Sequence, residues 1–301
     1  MELRQIRYFM EVAMREHVTE AADALHVAQS SVSRQIANLE SELGVDLFIR
    51  EKRRVKLTPI GKIFYERMAQ AMNVIDDAKR EVEEHLDPKK GTIRVAFPIS
   101  LAAYILPTVI HAFRMHYPEA KFHLKQALYD ELIDGVIKGE YNLALLGPLP
   151  KDEKKIHRKV LFTENIVALL PIHHSLAQKK SLKLLELKDE QFVTLPKGFV
   201  FREIVEKACL SLGFSPSVGF EGDDTDALKG LVSAGLGVAL MPEVTLVDNI
   251  PRSTVRIPLD DENLTRTVGV ITPTQRKLLP TEELFYEFLQ EFFSRLNYFN
   301  N

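Results

Sequence analysis

Apolar and polar positions alternate along this chain with two different periods, and the change of period divides it. Up to about residue 87, apolar residues recur mainly at spacings of three and four, as on one face of a helix. Leu3 to Ala13 predicts an amphipathic helix. Thr19 to Gly44 predicts two short helices joined by a tight turn at His26-Val27-Ala28, with Thr19 as the N-cap of the first. The second starts near Gln29, turns Val32, Ile36, Leu39 and Leu43 inward, and stops at Gly44. Leu47 to Gly61 predicts a short two-stranded wing with a basic tip. Pro59 then suits the first turn of a long helix to about residue 87. Its Phe64, Met68, Ala71, Ile75, Ala78, Val82 and His85 make an a/d-type seam, which either its own domain or a second chain must cover; a second chain is favoured, because paired helix-turn units supply two-fold symmetry.

Leu86-Asp87-Pro88-Lys89-Lys90-Gly91-Thr92 carries the breakers of a hinge, and beyond it strand-like and helix-like runs alternate. Ile93–Phe97, Lys121–Leu128 and Leu143–Leu146 read as strands, with helices over 102–117 and 131–138 between them. That is βαβαβ, a parallel sheet covered by helices. A second set follows. Strands are expected over 166–170, 192–195, 217–221 and 238–241, and helices over 202–212 and 226–234. A strand over 267–271 returns to the first half, and the last helix runs from Glu282 to Leu296.

The 301 residues are enough for about two domains, and 46% hydrophobic with 27% charged residues is the balance of a globular protein. The net charge of -3 argues against nucleic acid, but its distribution argues for it. Between residues 50 and 62, Arg50, Lys52, Arg53, Arg54, Lys56 and Lys62 face only Glu51, a local basic patch of the kind phosphates require. The single cysteine, Cys209, excludes an internal disulfide, fits a reducing cytoplasm, and falls in a helical pattern as core filler. No apolar run is long enough to span a membrane, and the N-terminus has no signal-peptide pattern, so a cytoplasmic location is expected.

The start of the second short helix offers Gln29, Ser30, Ser31, Ser33 and Arg34 outward. These are the small hydroxyls, amide and guanidinium that a helix in the major groove uses, and a solvated helical hairpin is the plainer alternative. Gln29, Ser30, Ser31 and Ser33 are the candidates for base edges and nearby backbone, with Thr19 alongside. Arg34 suits a phosphate or groove edge, Arg50 a phosphate, and Arg53 and Arg54 a narrow minor groove. In the second part, clefts between α/β lobes form at strand C-terminal ends. The first such end places Ser100 and Leu101 at a candidate anion site, or Ser100 as a mere helix cap. Gln126, Tyr129, Gly147 and Pro148 follow, then Phe201 and Arg202 of the second lobe. Arg202 is either an anion partner or a solvated helix residue, and Asp223 to Thr225 either face the cleft or cap a helix. Gly235-Leu236-Gly237 matches a tight turn, not a nucleotide loop. No nucleophile elbow, phosphate loop or zinc spacing appears, and His173-His174 lacks partners for a metal; no enzyme, cofactor or metal is expected.

The stretches LRQIRYFMEVA, TEAADALHVAQSSVSRQIANLESELGVDLFIR and LTPIG resemble the winged helix-turn-helix of the LysR-type transcriptional regulators, and the likeness continues through the chain. The resemblance implies an α/β protein with an N-terminal all-helical winged helix-turn-helix over residues 1–58 and a linker and dimerisation helix over 59–87. A two-lobed, periplasmic-binding-protein-like effector domain follows over 88–301, with lobe I near 91–163 and 267–301 and lobe II near 164–266. It further implies double-stranded DNA with an inverted repeat, a small-molecule effector, RNA polymerase and a homodimer or homotetramer as partners, without a membrane. LDPKKGTIRVAFP, LALLGPLP, LPKGFVFRE and LKGLVSAGLGVALMPE resemble the branch of the family that governs glutamate synthesis genes. That likeness implies a small dicarboxylate such as 2-oxoglutarate or glutamate; regulation of another operon by another small anion is the alternative. A solute-binding transport receptor would leave residues 1–61 unexplained, and an enzyme would lack a catalytic group.

Overall fold

The computed structural model describes residues 1–51, 54–87, 89–151, 153–261 and 264–295, so Lys52, Arg53, Pro88 and Leu296 of the sequence reading lie outside it, as does the side chain of His85. The chain forms two compact units, Met1–Lys79 and Arg80–Asn301.

The first unit begins with α1 (Leu3–Arg15), α2 (Val18–Ala24) and α3 (Gln29–Leu43). Their apolar faces meet in one core, where Phe9, Val12, Val32 and Leu39 are fully buried. Phe9 anchors it, with its ring centroid 5.2 Å from those of both Phe48 and Phe64. Two details differ from expectation. The N-cap of α2 is His17, whose Nδ1 accepts from the backbone N–H of Glu20 at 3.4 Å; Thr19 lies one residue inside the helix. Leu43 is more than a third exposed, because its turn runs past the end of the core. The tight turn is made by His26 with φ at 54°, and Gly44 ends α3 at φ 70°, where a residue without Cβ avoids strain.

Strands β1 (Phe48–Glu51) and β2 (Arg54–Leu57) pair antiparallel as the wing, with Phe48 opposite Leu57 and Glu51 opposite Arg54. The LTPIG stretch locks the wing to α4 (Pro59–Leu86). Thr58 Oγ1 donates to the carbonyl of Asp46 at 2.8 Å and accepts from Gly61 N at 2.9 Å. A Cβ on Gly61 would stand 2.1 Å from the Leu47 carbonyl oxygen, so only glycine fits. Along the 28-residue α4, Phe64 and Tyr65 pack on the first core, but the predicted seam is only partly covered. Val82 is 69% exposed, and Val74 and Ile63, off the seam, are exposed as well.

The second unit carries a seven-stranded sheet in the order β10-β6-β11-β5-β3-β4, with β9 branching from β6. Strands β3 (Thr92–Phe97), β4 (Lys121–Gln126) and β5 (Leu143–Leu146) pair parallel, with α6 (Ile105–His116) and α7 (Tyr129–Ile137) in the crossovers. Their side chains split by parity, as a period of two dictates. Ile93, Val95, Phe97, Leu143 and Leu145 face α6 and α10 (Pro280–Arg295), while Ala96, Ala144 and Leu146 face α7. The helix expected over 102–117 is found as α6, and a break at residues 103–104 leaves Ala102 at the end of a separate single turn, α5 (Ile99–Ala102). Pro107 explains the break: it has no N–H for a residue four back and its ring would strike that carbonyl, so it is tolerated only in a first turn.

The second lobe is joined to the first by two long strands. β6 (Ile156–Pro171) and β11 (Thr265–Pro273) run antiparallel to each other, so the return strand is real, and it lies antiparallel to β5. The front half of β6 escaped the sequence pattern because His157, Arg158 and Lys159 are exposed and polar there, and read as loop. Its rear half holds β9 (Ala239–Pro242) and β10 (Thr254–Pro258). β7 (Gln191–Thr194) and β8 (Ser217–Glu221) pair parallel, and α8 (Val200–Ser211) and α9 (Thr225–Ser233) cover the lobe. Again parity decides the sides: Ile166, Ala168 and Leu170 join one core with Cys209, and Val167 and Leu169 the other with Val232.

Candidate DNA interface and effector cavity

In the first unit, α2, α3 and the wing surround an open hollow. Thr19, Gln29, Ser33, Arg50 and Arg54 stand around it, over a floor that includes Val12, Ile36 and Phe48. Thr19, Gln29, Arg50 and Arg54 are exposed, and Gln29 Nε2 donates to Ser33 Oγ at 3.1 Å, one helical turn on. Ser30, Ser31 and Arg34 share the first turns of α3 but not the hollow; Ser30 and Arg34 are open to solvent. Arg53 lies outside the described residues. The arrangement gathers an amide, hydroxyls and guanidinium groups on one exposed rim, which is donor and acceptor equipment for base edges and phosphates.

In the second unit, a cavity of about 260 Å³ opens between the lobes. It lies at the C-terminal ends of β3, β4 and β5 and at the start of α8, which is where a two-lobed α/β fold converges its loops. Ser100, Gln126, Tyr129, Gly147 and Phe201 line it, and so do Glu131, Asp223 and Thr225. The rest of the wall is largely apolar, with Ile99, Leu146, Leu195, Leu240 and Met241. Burial, and Asp130 next to it, raises the Tyr129 phenol above its ordinary value, so it is a neutral hydroxyl near pH 7.

Three expected residues stand elsewhere. Leu101 is fully buried in the core of lobe I, because α5 is one turn long and turns this side chain away from the opening. Pro148 lies beyond the cavity wall, at a shallow hollow beside Arg158 and Thr267. Arg202 is not solvated, and the anions it pairs are the protein's own carboxylates. It is 5% exposed, donating from Nε to Glu206 at 2.5 Å and from Nη1 to the Leu195 carbonyl at 3.0 Å and to Glu221 at 3.3 Å. It ties α8 to the ends of β7 and β8. Of the segment 223–225, Asp224 caps α9 by accepting from Ala227 N at 2.6 Å, and Asp223 and Thr225 reach the cavity.

The residue that sequence reading missed is Arg266. It sits in β11, lines the cavity, and is 4% exposed. Its Nε donates to Glu164 Oε1 at 2.7 Å and its Nη1 to Ser100 Oγ at 3.0 Å, while the ring of Phe201 lies 5.7 Å from its Cζ. Glu164, 1% exposed, accepts from Val244 N at 2.9 Å with its other oxygen. An arginine flanked by threonines in Thr265-Arg266-Thr267 signals nothing by itself. Its partners lie 102 and 166 residues away, so only the crossing of β6 and β11 brings them together.

Among the described residues no group of three or more His, Cys, Asp or Glu side chains is placed to hold a metal. No helix among them is long and apolar enough to cross a membrane. The Cys209 thiol is pushed up to about 11, first by burial and then by Glu206.

Two family models match the chain. The bacterial regulatory helix-turn-helix protein of the lysR family matches residues 3–62, and the LysR substrate binding domain matches residues 87–294. The transcriptional dual regulator GltC of Bacillus subtilis is 54% identical over 296 residues, covering 98% of this chain and 99% of that protein. The HTH-type transcriptional regulator CysB of Haemophilus influenzae is 31% identical over 243 residues, 80% of this chain and 75% of its own. Among solved structures, full-length CbnR complexed with its target DNA superposes with a TM-score of 0.79 at 23% identity, covering 97% of this chain and 99% of that one, a likeness of fold. A full-length OxyR variant of Pseudomonas aeruginosa gives a TM-score of 0.73 at 25% identity, covering 96% and 98%.

Proposed function

Because the chain belongs to the LysR family, and is therefore a DNA-binding transcriptional regulator and not an enzyme, we propose that it governs glutamate synthesis genes in response to a small carboxylate metabolite. Residues 1–58 read the DNA, 59–87 join two copies, and 88–301 take the effector between lobes I and II. Gln29, Ser30, Ser31 and Ser33 meet base edges and nearby backbone; Thr19, Arg34, Arg50, Arg53 and Arg54 hold phosphates or a groove edge. Two copies, or four, set their α3 helices on an imperfect inverted repeat, since a two-fold protein reads a two-fold site. The exposed Ile63, Val74 and Val82 of α4 support that pairing, as open apolar side chains on a long helix call for a partner. The place of action is the cytoplasm, beside RNA polymerase at the promoter.

The observation that carries the effector half is the cavity, apolar in its walls and holding a buried guanidinium. Ser100, Gln126, Tyr129, Gly147 and Phe201 contact the metabolite there, and 2-oxoglutarate or glutamate is the leading occupant. Binding shifts regulation only if the two arrangements of the subunits on DNA differ in effector affinity.

The test is binding of the full chain to a glutamate synthase promoter fragment and to a scrambled fragment, across a salt series, with and without each compound. Tighter binding to the promoter, a steep salt slope and an effector-dependent footprint are expected. Equal binding to both fragments removes the proposed target and favours a LysR-type regulator of another operon, to be sought at the promoter beside its own gene.

A further inference from the structure

Arg266 is the one cationic side chain among the described residues that line the interlobe cavity; the acids there are Glu131 and Asp223. Its side chain is 2% exposed and lies against that of Glu164, which is 0% exposed. Two of its three nitrogens are used, Nε on Glu164 and Nη1 on Ser100. Nη2 is buried without a hydrogen-bond partner in the structure. A buried guanidinium N–H with no acceptor is costly, and native structures leave few. Neither neighbour fills the gap: Glu164 spends its second oxygen on Val244 N, and Ser100 Oγ already accepts from Nη1.

We propose that Arg266 reads the effector's carboxylate, with Nη2 as the donor kept for it. This rests on the preceding reading of the cavity as the effector site, and names the group that selects the ligand. The fork geometry of guanidinium permits it, since five N–H donors in one plane serve two carboxylates from different edges. Glu164 holds one edge in place and the ligand takes the other. The pocket supplies one cation among its described lining residues, so it reads one carboxylate by charge. A second carboxylate on the same ligand meets neutral groups such as Gln126 and the Tyr129 hydroxyl. Because Arg266 also bonds Ser100 in lobe I and, through Glu164, the start of the turn after β9, an occupant on Nη2 sits on a network spanning the junction of the lobes.

The test is calorimetric titration of the full-length chain with 2-oxoglutarate and with L-glutamate. Arg266→Lys keeps the charge and loses the fork, and is expected to weaken binding at least tenfold. Arg266→Gln alone would strand Glu164 in the interior, so the pair Glu164→Gln with Arg266→Gln removes both charges together, with folding checked by circular dichroism and thermal unfolding. That pair is expected to lower affinity about a hundredfold. Val200→Trp, which fills the same cavity, is expected to abolish binding. If the paired variant binds within threefold of the parent while Val200→Trp blocks, the cavity stands and Arg266 is excluded as the reader. If Val200→Trp also leaves binding intact, the cavity itself is the wrong site. A parent chain that binds neither compound at millimolar levels overturns the carboxylate assignment.

Discussion

The hollow of the first unit and the cavity of the second handle charge in opposite ways. Around the hollow, Arg50 and Arg54 are exposed, and so is Gln29. Each exposed cation there contributes little alone, is screened by salt, and adds to its neighbours. In the cavity a single guanidinium is buried with one carboxylate and one hydroxyl, among apolar walls. There the charge is removed from salt, paired with Glu164 and geometrically fixed. On the proposed reading, an extended polyanion would be met by many weak contacts, and a small anion by one strong one.

The comparison can be broken in several ways. The largest effect is on the frame of the first region. Phe9→Ala empties the centre of that core and is expected to cost about 3–5 kcal/mol, measured by urea unfolding of the full chain. A loss below about 1 kcal/mol would mean that the wing and α4 hold the unit without it. Next comes the arginine that is buried for structure alone. Arg202→Ala is expected to destabilise the second unit by about 2 kcal/mol, at the lower end because Glu206 and Glu221 retain access to water. Effector affinity in the surviving folded fraction should stay the same. A large drop in affinity without loss of stability would return Arg202 to the site.

Smaller effects separate the roles on the DNA side. Gln29→Ala is expected to lose about 1–3 kcal/mol on the cognate site and almost nothing on scrambled DNA, as filter binding or fluorescence anisotropy would show. Equal loss on both would remove it from base reading. Arg54→Ala should weaken both fragments evenly and flatten the log–log salt slope by about one unit. The smallest expectation is an absence of change. With its thiol pushed up to about 11 and buried, Cys209 stays protonated at pH 8, and a disulfide reagent should label it only after unfolding. Rapid labelling of the native chain would show that lobe II opens.

Legibility followed the range of the interactions. The start of α3 at Gln29, its end at Gly44 and the wing followed from neighbours in the chain, because caps, turns and amphipathic faces are local. The parallel βαβαβ order followed from alternation. His17 displaced Thr19 as cap because the helix starts earlier, at Val18, and an imidazole nitrogen accepts from the N–H of Glu20, which no propensity ranking weighs. The helix expected over 102–117 is present from Ile105 to His116, and its later start has a local reason, Pro107 in its first turn. Arg202 and Arg266 could not be told apart as cavity residues by type alone; one lies in the first turn of a helix and one is the second residue of a strand.

The sequence by itself determined most of the order of elements, though not β10 or the front half of β6, together with the period of each buried face, the basic wing and the exposed polar start of α3, since these depend on residues within a few turns of one another. It also carried the family. Tertiary structure alone decided which arginine meets the cavity. β6 and β11 must cross between the lobes before Glu164, Arg266 and Ser100 share one site, and a guanidinium is structural or available according to how many acceptors distant segments bring to it.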